Sequence, residues 1–375
     1  MSLGSFDAVI VGAGIVGAAC ARELAADGLR VAICEENDHV GGGATAVGMG
    51  HLAVMDDSEA QFNLTRFSQY LWRELSDELP REAEYLPCGS LWVAADEEEF
   101  REAERKYRFY SQHGVSAHLL DTKQTAEAEP KLRPGLRGAL HLPADSVCYP
   151  PAAARHFSEQ VIAAGGQVFL QERVKRVSDS GVALSSGQIL SAGLMILATG
   201  AAVQELQPDV DVRARKGHLL ITDRYPGFLR HQVIELGYLK SAHSVTRDSV
   251  AFNAQPRATG QVLIGSSRQY GVEDAAVDKG ILGSMLRRAF EYLPGLADLQ
   301  AIRAWTGFRA ATPDKLPLVG LCPGFQNVYL ATGHEGLGIT TSLATARLLA
   351  DEILDRSSQI SRLPYDPSRS FALHA

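Results

Sequence analysis

The sequence has little cysteine and no long apolar segment. Its five cysteines among 375 residues are scattered, odd in number and never paired as CxxC. Neither a disulfide framework nor a zinc site is therefore expected, and no metal is assigned. No apolar run reaches the roughly 18–20 residues that span a bilayer, and the N-terminus lacks the pattern of a secretory signal. These absences predict a cytoplasmic protein, or one held peripherally at the inner face of a membrane.

Blocks of basic residues are also absent. Lys and Arg number 36 against 44 Asp and Glu, which gives a formal net charge of -8. A nucleic-acid partner is therefore not expected. The length exceeds that of most single cores, so two domains are expected.

The N-terminal segment has the pattern of a β-α-β unit. The apolar run Phe6–Val11 predicts a strand, the alanine-rich stretch Gly14–Asp27 a helix that stops at Gly28, and Leu29–Cys34 a second strand. Neither strand alternates apolar and polar residues, which is typical of a parallel sheet covered on both faces.

A GxGxxG motif joins the first strand to the helix. Its glycines permit a tight turn, close approach of a pyrophosphate, and close packing of the helix on the strand. The free N–H groups of the helix attract phosphates. Glu35, 18 residues after the last glycine, can bind ribose hydroxyls and would repel a 2′-phosphate, which argues against NADP. A purely structural turn is the alternative. The predicted dinucleotide contacts here are Gly12, Ala13, Gly14, Ile15, Val16, Gly17, Glu35 and Glu36.

Two further glycine clusters favour FAD over NAD. The segment GGGAT would place small side chains and N–H donors beside a long dinucleotide, and the ATG turn would let the backbone pass the adenosine. Each alone occurs more often as an ordinary loop. The residues assigned to FAD here are Gly42, Gly43, Ala44, Thr45, Val174, Ala198, Thr199 and Gly200.

The remaining sheet and helix signals fall in separate stretches of the chain. Strands are predicted at Gln167–Val177, Gly181–Leu190, Leu194–Ala198 and Val328–Ala331, and an apolar helix at Ile339–Leu354. The expected fold is α/β, with a Rossmann-like, glutathione-reductase-like FAD-binding domain and an inserted α+β antiparallel-sheet substrate domain. The first would comprise residues 1–85, 146–215 and 301–375, and the second 86–145 and 216–300.

These motifs, with GFRAATPDKLPLVG at 307–320 and ATGHEGLGIT at 331–340, resemble the D-amino-acid oxidase, glycine oxidase and sarcosine oxidase superfamily of flavoproteins. The resemblance covers nearly the whole chain. The stretches 48–57 and 253–269 look most like D-hydroxyproline dehydrogenases and related flavin subunits of proline-type dehydrogenases.

The resemblance implies hydride transfer from the amine-bearing carbon to flavin N5. It implies that Arg309 binds the substrate carboxylate; a structural pair with Asp314 is the alternative. It also implies that the last helix points its N-terminus at the flavin. The alternative is that these residues form only a glycine-rich start of the helix. Of the residues assigned to this role, His334 is the least certain. The residues concerned are Gly333, His334, Gly336, Leu337, Gly338, Ile339 and Thr340.

Other positions are expected near the flavin ring and substrate. Gly48 and Met49 should pass the ring, while His51 and Tyr238 are equally compatible with structural roles. Asn253 replaces an aromatic hydroxyl of glycine oxidases, and its amide would suit a hydroxylated ring.

The flavin is expected to be non-covalent. Monomeric sarcosine oxidases attach it through a cysteine seven residues before the Asp of the TPD motif, and Gly307 stands there in this chain.

The resemblance favours a D-amino-acid dehydrogenase or oxidase acting on cis-4-hydroxy-D-proline or D-proline. Glycine, sarcosine or another small amino acid is the alternative substrate. A flavin subunit inactive without its partner, and an RNA-modifying or structural homologue, are the rivals from other classes. Oxygen, a quinone or a partner subunit would accept the electrons, and an oligomer is compatible with the sequence.

Overall fold

A computed structural model describes residues 5–237 and 248–369 of the chain. They form two compact units, each assembled from separate stretches of sequence. Unit 1 comprises the residues up to Ala83, Tyr149–Ala214 and those from Phe308 onward; unit 2 comprises Glu84–Cys148 and Arg215–Gly307.

Unit 1 contains an eight-stranded, largely parallel sheet with the order β17-β18-β11-β1-β2-β8, and the hairpin β9–β10 branches from β11. β1 lies between β2 and β11 and runs parallel to both. Five of its six residues are buried, as expected for a strand covered on both faces. The strands assigned to unit 1 are β1 Phe6–Val11, β2 Val31–Cys34, β3 His51–Leu52, β8 Gln167–Phe169, β9 Val174–Ser178, β10 Gly181–Leu184, β11 Ile189–Leu197, β17 Leu318–Leu321 and β18 Val328–Thr332.

Four long helices pack together in unit 1. The alanine-rich face of α1 permits close contact with α6 and α8, and α3 also packs on α8. Trp72 of α3 donates its indole N–H to the carbonyl of Ile339 at 3.3 Å, which fixes the start of α8. The helices are α1 Ile15–Ala26, α2 Gly43–Val47, α3 Glu59–Leu75, α6 Pro150–Ala163 and α8 Gly338–Ile353.

Unit 2 contains a second eight-stranded sheet with the order β16-β12-β15-β14-β13-β4-β6-β5. The pairs β12–β15, β15–β14, β14–β13, β4–β6 and β6–β5 are antiparallel, and β13 runs parallel to β4. The strands are β4 Ser90–Ala94, β5 His118–Asp121, β6 Gly138–Leu142, β12 Arg213–Arg224, β13 Gln232–Glu235, β14 Ser249–Pro256, β15 Gln261–Arg268 and β16 Ala301–Ala311, and the two-residue β7 Ser146–Val147 lies in the same unit.

An apolar cluster joins one face of this sheet to α7. Phe252 of β14 stacks on Tyr292 of α7 with ring centroids 4.9 Å apart and planes 8° from parallel. Burial of such rings is a main source of stability in a small domain. The helices of unit 2 are α4 Glu97–Gln112, α5 Thr122–Ala128 and α7 Lys279–Tyr292.

The expected α/β fold with a Rossmann-like FAD domain and a substrate domain is confirmed, but three details differ. The predicted strand Gln167–Val177 is broken, because Gln171 adopts a left-handed backbone with φ of 58° between β8 and β9. Gly187 turns the chain after β10, so the second half of the predicted strand Gly181–Leu190 belongs to β11. β16 belongs to unit 2 up to Gly307, and its last four residues, Phe308–Ala311, belong to unit 1, whereas the sequence assigned all residues from 301 onward to the nucleotide-binding domain.

In the ranges that the structure covers, none of the helices is long and apolar enough to cross a membrane.

Candidate FAD and substrate site

The glycine motif forms the turn between β1 and α1 that the sequence predicts. Gly12 has φ of +100°, a backbone conformation that other residues rarely adopt. A Cβ on Gly17 would lie 2.0 Å from the carbonyl oxygen of Gly12, so this position excludes every side chain. α1 begins at Ile15 with Gly14 as its N-cap and no side-chain cap, which leaves N–H groups at its start available for a phosphate.

Glu35, at the end of β2, is buried and holds this turn in place. One carboxylate oxygen accepts the Ala13 N–H at 2.8 Å. The other accepts the backbone N–H of Asn37 at 3.0 Å and its side-chain amide at 2.6 Å. A carboxylate has about four acceptor positions, so capacity remains for a ribose hydroxyl. The sequence interpretation missed Asn37, although an Asn two residues after the acidic residue is a local signal for such a bond.

The GGGAT segment is a short helix rather than a loop, and it closes on the glycine turn. Gly42 is the N-cap of α2. The Thr45 hydroxyl accepts the Ile15 N–H at 2.9 Å, and the Gly41 N–H donates to the Ala13 carbonyl at 2.8 Å. Small residues are needed here, because a Cβ on Gly14 would lie 3.2 Å from that hydroxyl.

The residues expected beside the adenosine lie at the ends of β11 and β9. Val174 and Ala198 are buried, and the Ala198 N–H donates to the Val11 carbonyl at 2.9 Å. Among the residues that the structure covers, the buried Thr199 hydroxyl has no hydrogen-bond partner. A buried hydroxyl of this kind ordinarily has a partner, and a dinucleotide would supply one. The donors, the glycine cradle and this hydroxyl therefore fit FAD.

The turn before α8 is joined to β16 and to the segment after α2. The Glu335 N–H donates to the Ala310 carbonyl at 2.7 Å. The Thr340 hydroxyl donates to the His51 carbonyl at 2.7 Å, and a Cβ on Gly48 would lie 2.6 Å from the Ile339 side chain. The structure thus brings four residues that were predicted at the flavin edge together in unit 1: Gly48, His51, Ile339 and Thr340. Met49, which follows Gly48 in the chain, is buried.

His334 is buried in this turn, and its Nε2 lies 3.0 Å from the Thr345 hydroxyl. Burial lowers its pKa to about 4, so the ring is neutral at neutral pH. A neutral ring adds no positive charge at the start of α8. Any electrostatic help there comes from the helix itself, since Gly338 opens a 16-residue helix with no acidic residue in its first turn.

Arg309 lies half-buried on β16, beside the same turn. Its Cδ and Nε would lie 3.3 Å from a Cβ placed on Gly336, so the missing side chain leaves room for the guanidinium stem. Asp314 pairs with a different arginine, Arg369, from which its two carboxylate oxygens accept hydrogen bonds at 2.7 and 3.0 Å. Burial is the largest influence on the pKa of Asp314 and acts to raise it, but the hydrogen bonds from Arg369 and the Leu316 N–H, together with the charge of Arg369, outweigh burial and the pKa is lowered. The structure therefore gives Asp314 a two-point pair with Arg369, 55 residues away in the chain.

In unit 2, Asn253 is buried on β14. Its amide nitrogen lies 3.4 Å from the Ser266 hydroxyl, while its carbonyl oxygen has no partner among the described residues. Tyr238 lies outside the described residues, so its expected place over the substrate stays a prediction.

Gly307, the residue at the cysteine position of sarcosine oxidases, is the last residue of unit 2. All five cysteines are free, and burial raises the pKa of each thiol to about 11 or 12. Such thiols are poor nucleophiles. Across residues 5–237 and 248–369, no group of three or more His, Cys, Asp or Glu could hold a metal ion.

Comparison with known proteins agrees with this arrangement. The family model "FAD dependent oxidoreductase" matches residues 7–352. The glycine oxidase of Pseudomonas aeruginosa is 28% identical, over 96% of this chain and 98% of that protein. The hydrogen cyanide synthase subunit HcnC of Pseudomonas protegens is 26% identical, over 96% and 95%. The crystal structure of glycine oxidase from Geobacillus kaustophilus is similar with a TM-score of 0.88 and 26% identity, over 99% of this chain and 100% of that one. On its glycine turn, its fold and this match, the chain belongs to the FAD-dependent oxidoreductases of the D-amino-acid oxidase family.

Proposed function

We propose that the chain oxidises the C–N bond of a small amino acid, with cis-4-hydroxy-D-proline or D-proline as substrate. The observation that carries the amino-acid part is the position of Arg309 against Gly336, at the entry of α8. The same turn is bonded to β16 and, through Thr340, to the His51 segment. Arg309, the proposed carboxylate-binding cation, thus lies beside residues that are assigned to the flavin edge.

Arg309 would bind and orient the substrate. A guanidinium holds a carboxylate through two parallel hydrogen bonds, which fixes the direction of the neighbouring Cα–H bond. Asp314, the nearby carboxylate in the sequence, makes its two-point pair with Arg369. Orientation of this kind is a large part of what a protein contributes when a cofactor carries the chemistry.

Bound FAD supplies the hydride acceptor, and the start of α8 supplies the electrostatics. The helix N-terminus carries a partial positive charge that stabilises negative charge placed near it. His334 stays neutral and holds the turn through Thr345. The substrate amine must lose its positive charge before hydride leaves the carbon, and water is the simplest base that this scheme requires.

Asn253 favours a substrate with a polar ring substituent. Its buried carbonyl oxygen has no partner among the described residues, and such an oxygen can accept a hydroxyl hydrogen. A site that hydrogen-bonds a substrate hydroxyl discriminates strongly against the analogue that lacks it. This feature supports hydroxyproline over proline.

Glycine, sarcosine or another small amino acid is the second candidate. It is favoured by the glycine oxidases among the relatives, which align with almost the whole chain. The similarity to a protein named as a synthase subunit favours a third arrangement, in which the chain passes electrons to a partner.

One experiment separates these candidates. The holoprotein is mixed anaerobically with a panel of D- and L-amino acids, and loss of the flavin absorbance is followed. Bleaching by D-hydroxyproline ahead of glycine supports the proposal, and the reverse order supports the second candidate. No bleaching by any amino acid contradicts both. Re-oxidation by air or by a quinone analogue then identifies the acceptor.

The FAD is proposed to be non-covalent, because Gly307 offers no sulfur. Acid precipitation should leave the yellow colour in the supernatant. A yellow pellet would contradict this proposal.

A further inference from the structure

Arg173 links two carboxylates that lie at the ends of neighbouring elements of unit 1. Its Nε lies 3.6 Å from Glu36, the residue that follows Glu35 after β2. Its Nη2 is bonded to Glu205, the last residue of the 3₁₀ helix Gly200–Glu205 that follows β11. All three side chains are about half exposed, so the link lies at the surface.

The backbone of Arg173 is held on both sides. Its N–H donates to the Ser185 hydroxyl at 3.1 Å, and its carbonyl accepts the Ser185 N–H at 2.8 Å. The N–H of the preceding residue, Glu172, donates to the Glu35 carbonyl at 2.9 Å. The guanidinium therefore starts from a fixed point next to the acidic residue that is expected to bind ribose.

The sheet order determines what this link passes over. β1 lies between β2 and β11. A side chain that joins the end of β2 to the helix after β11 must pass the carboxyl end of β1, where the glycine turn begins at Gly12. Ligands of parallel α/β sheets bind outside the carboxyl ends of the strands. The link thus lies on the adenosine side of the FAD site.

We propose that Arg173, held between Glu36 and Glu205, closes the adenosine end of the FAD site and stacks on the adenine. The two carboxylates bind the edge of the guanidinium, so its two flat faces stay available for stacking on an aromatic ring. The pairing also neutralises acidic charge next to the FAD phosphates. Arg173 is a cofactor-retention residue, and it determines how fast FAD leaves.

The competing explanation is an ordinary surface ion pair, which contributes almost nothing. Binding of FAD to the apoprotein separates the two explanations. Arg173→Ala should raise the Kd for FAD about fivefold and speed FAD release by a similar factor. Arg176→Ala is the matched control, because it removes the same charge from an exposed position on β9, and its Kd should equal that of the unmodified protein.

Two further measurements distinguish contact with adenosine from a general effect on the fold. ADP used as a competitor should lose affinity by the same factor as FAD, and the Tm of the apoprotein should not change. High salt should speed FAD release from the unmodified protein and from Arg176→Ala, but much less from Arg173→Ala, because the ion pairs are screened.

The proposal is overturned if the FAD affinity of Arg173→Ala stays within twofold of the unmodified protein. It is also overturned if FAD affinity falls while ADP affinity does not, or if the loss is matched by a lower Tm of the apoprotein. Glu205→Gln provides a second variant that removes one anchor and leaves Arg173 in place; faster FAD release is expected there too.

Discussion

The two ends of the proposed FAD and substrate site are built in different ways. The dinucleotide end depends on absent side chains and on backbone groups: Gly12, Gly17 and the N–H groups at the start of α1. The proposed substrate end depends on a side chain that is present, that of Arg309. Steric exclusion means that the dinucleotide end tolerates no added side chain. At the substrate end, a charge or a hydrogen bond can be removed with the fold intact. Substitutions at the dinucleotide end should therefore destabilise the fold, whereas substitutions at the substrate end should weaken substrate binding and leave the fold intact.

Gly17→Val should have the largest effect. Its Cβ would lie 2.0 Å from the Gly12 carbonyl oxygen, so the turn or the helix must move. We expect no retained FAD and a loss of about 3 kcal/mol or more of unfolding free energy, measured by denaturant titration. Gly193→Ala is the control, because a Cβ there lies at an ordinary 3.4 Å from the Asp7 carbonyl. Normal FAD content in Gly17→Val would show that the glycine turn is not needed.

Arg309→Ala should act on the other end without disturbing FAD. Loss of a desolvated charge partner for the carboxylate costs about 3 kcal/mol, so KM should rise about a hundredfold or more. The exposed Arg303 on the same strand gives the control Arg303→Ala, which should bind substrate normally. Unchanged steady-state kinetics in Arg309→Ala would remove this residue from the substrate site.

The turn before α8, which lies next to Arg309, should make stability depend on pH. Burial lowers the pKa of His334 to about 4, against an ordinary value near 6.5 in the unfolded chain. The unfolded state therefore takes up a proton first, and stability is lost as pH falls from about 6.5 towards 4, while it is fully present above that range. The loss should approach about 3 kcal/mol once the pH is at or below 4.

Unfolding titrations of the unmodified protein, of His334→Asn and of the exposed-site variant His39→Asn test this dependence. The slope should be clearly smaller in His334→Asn, whereas in His39→Asn only the part that comes from the exposed His39–Asp38 pair should change. His141 in unit 2 also has its pKa lowered to about 4, by burial and by the neighbouring His231 and His118, so some slope remains in every variant. Equal slopes in all three proteins would contradict the buried neutral state of His334.

Asn253→Ala should have the smallest effect. One hydrogen bond to a substrate hydroxyl is worth about 1 kcal/mol, so the preference for hydroxyproline over proline should fall about fivefold. Turnover of proline should stay unchanged, which serves as the internal control. An unaltered ratio of kcat/KM for the two amino acids would separate Asn253 from substrate selection.

The sequence predicted the strand, turn and helix of the dinucleotide end, because the information there is local. Gly12 to Gly17, Glu35 and the GGGAT segment lie within the first 45 residues, and each restricts the backbone or places a hydrogen-bonding group. The break in the strand at Gln171 was not predicted, because its cause is not local. A left-handed glutamine has no signal in the sequence, because the tertiary bonds around it offset its strain.

The partners of charged side chains were much harder to predict. Asp314 lies five residues from Arg309, yet it pairs with Arg369, 55 residues away. Arg173 was not recognised either, because its two carboxylates come from separate elements at positions 36 and 205. Distances of this kind depend on how strands and helices are ordered in the sheet, which neither composition nor spacing reveals.

The sequence by itself determined that this chain binds a dinucleotide, because a glycine turn is required wherever backbone must approach a pyrophosphate. It also determined the family, through motifs spread along nearly its whole length. Only the tertiary structure decided which arginine pairs with Asp314, that Arg309 lies against Gly336, and that Arg173 joins Glu36 to Glu205. The physical reason is that steric requirements are met by neighbours in the chain, whereas charges find partners only after distant segments have packed together.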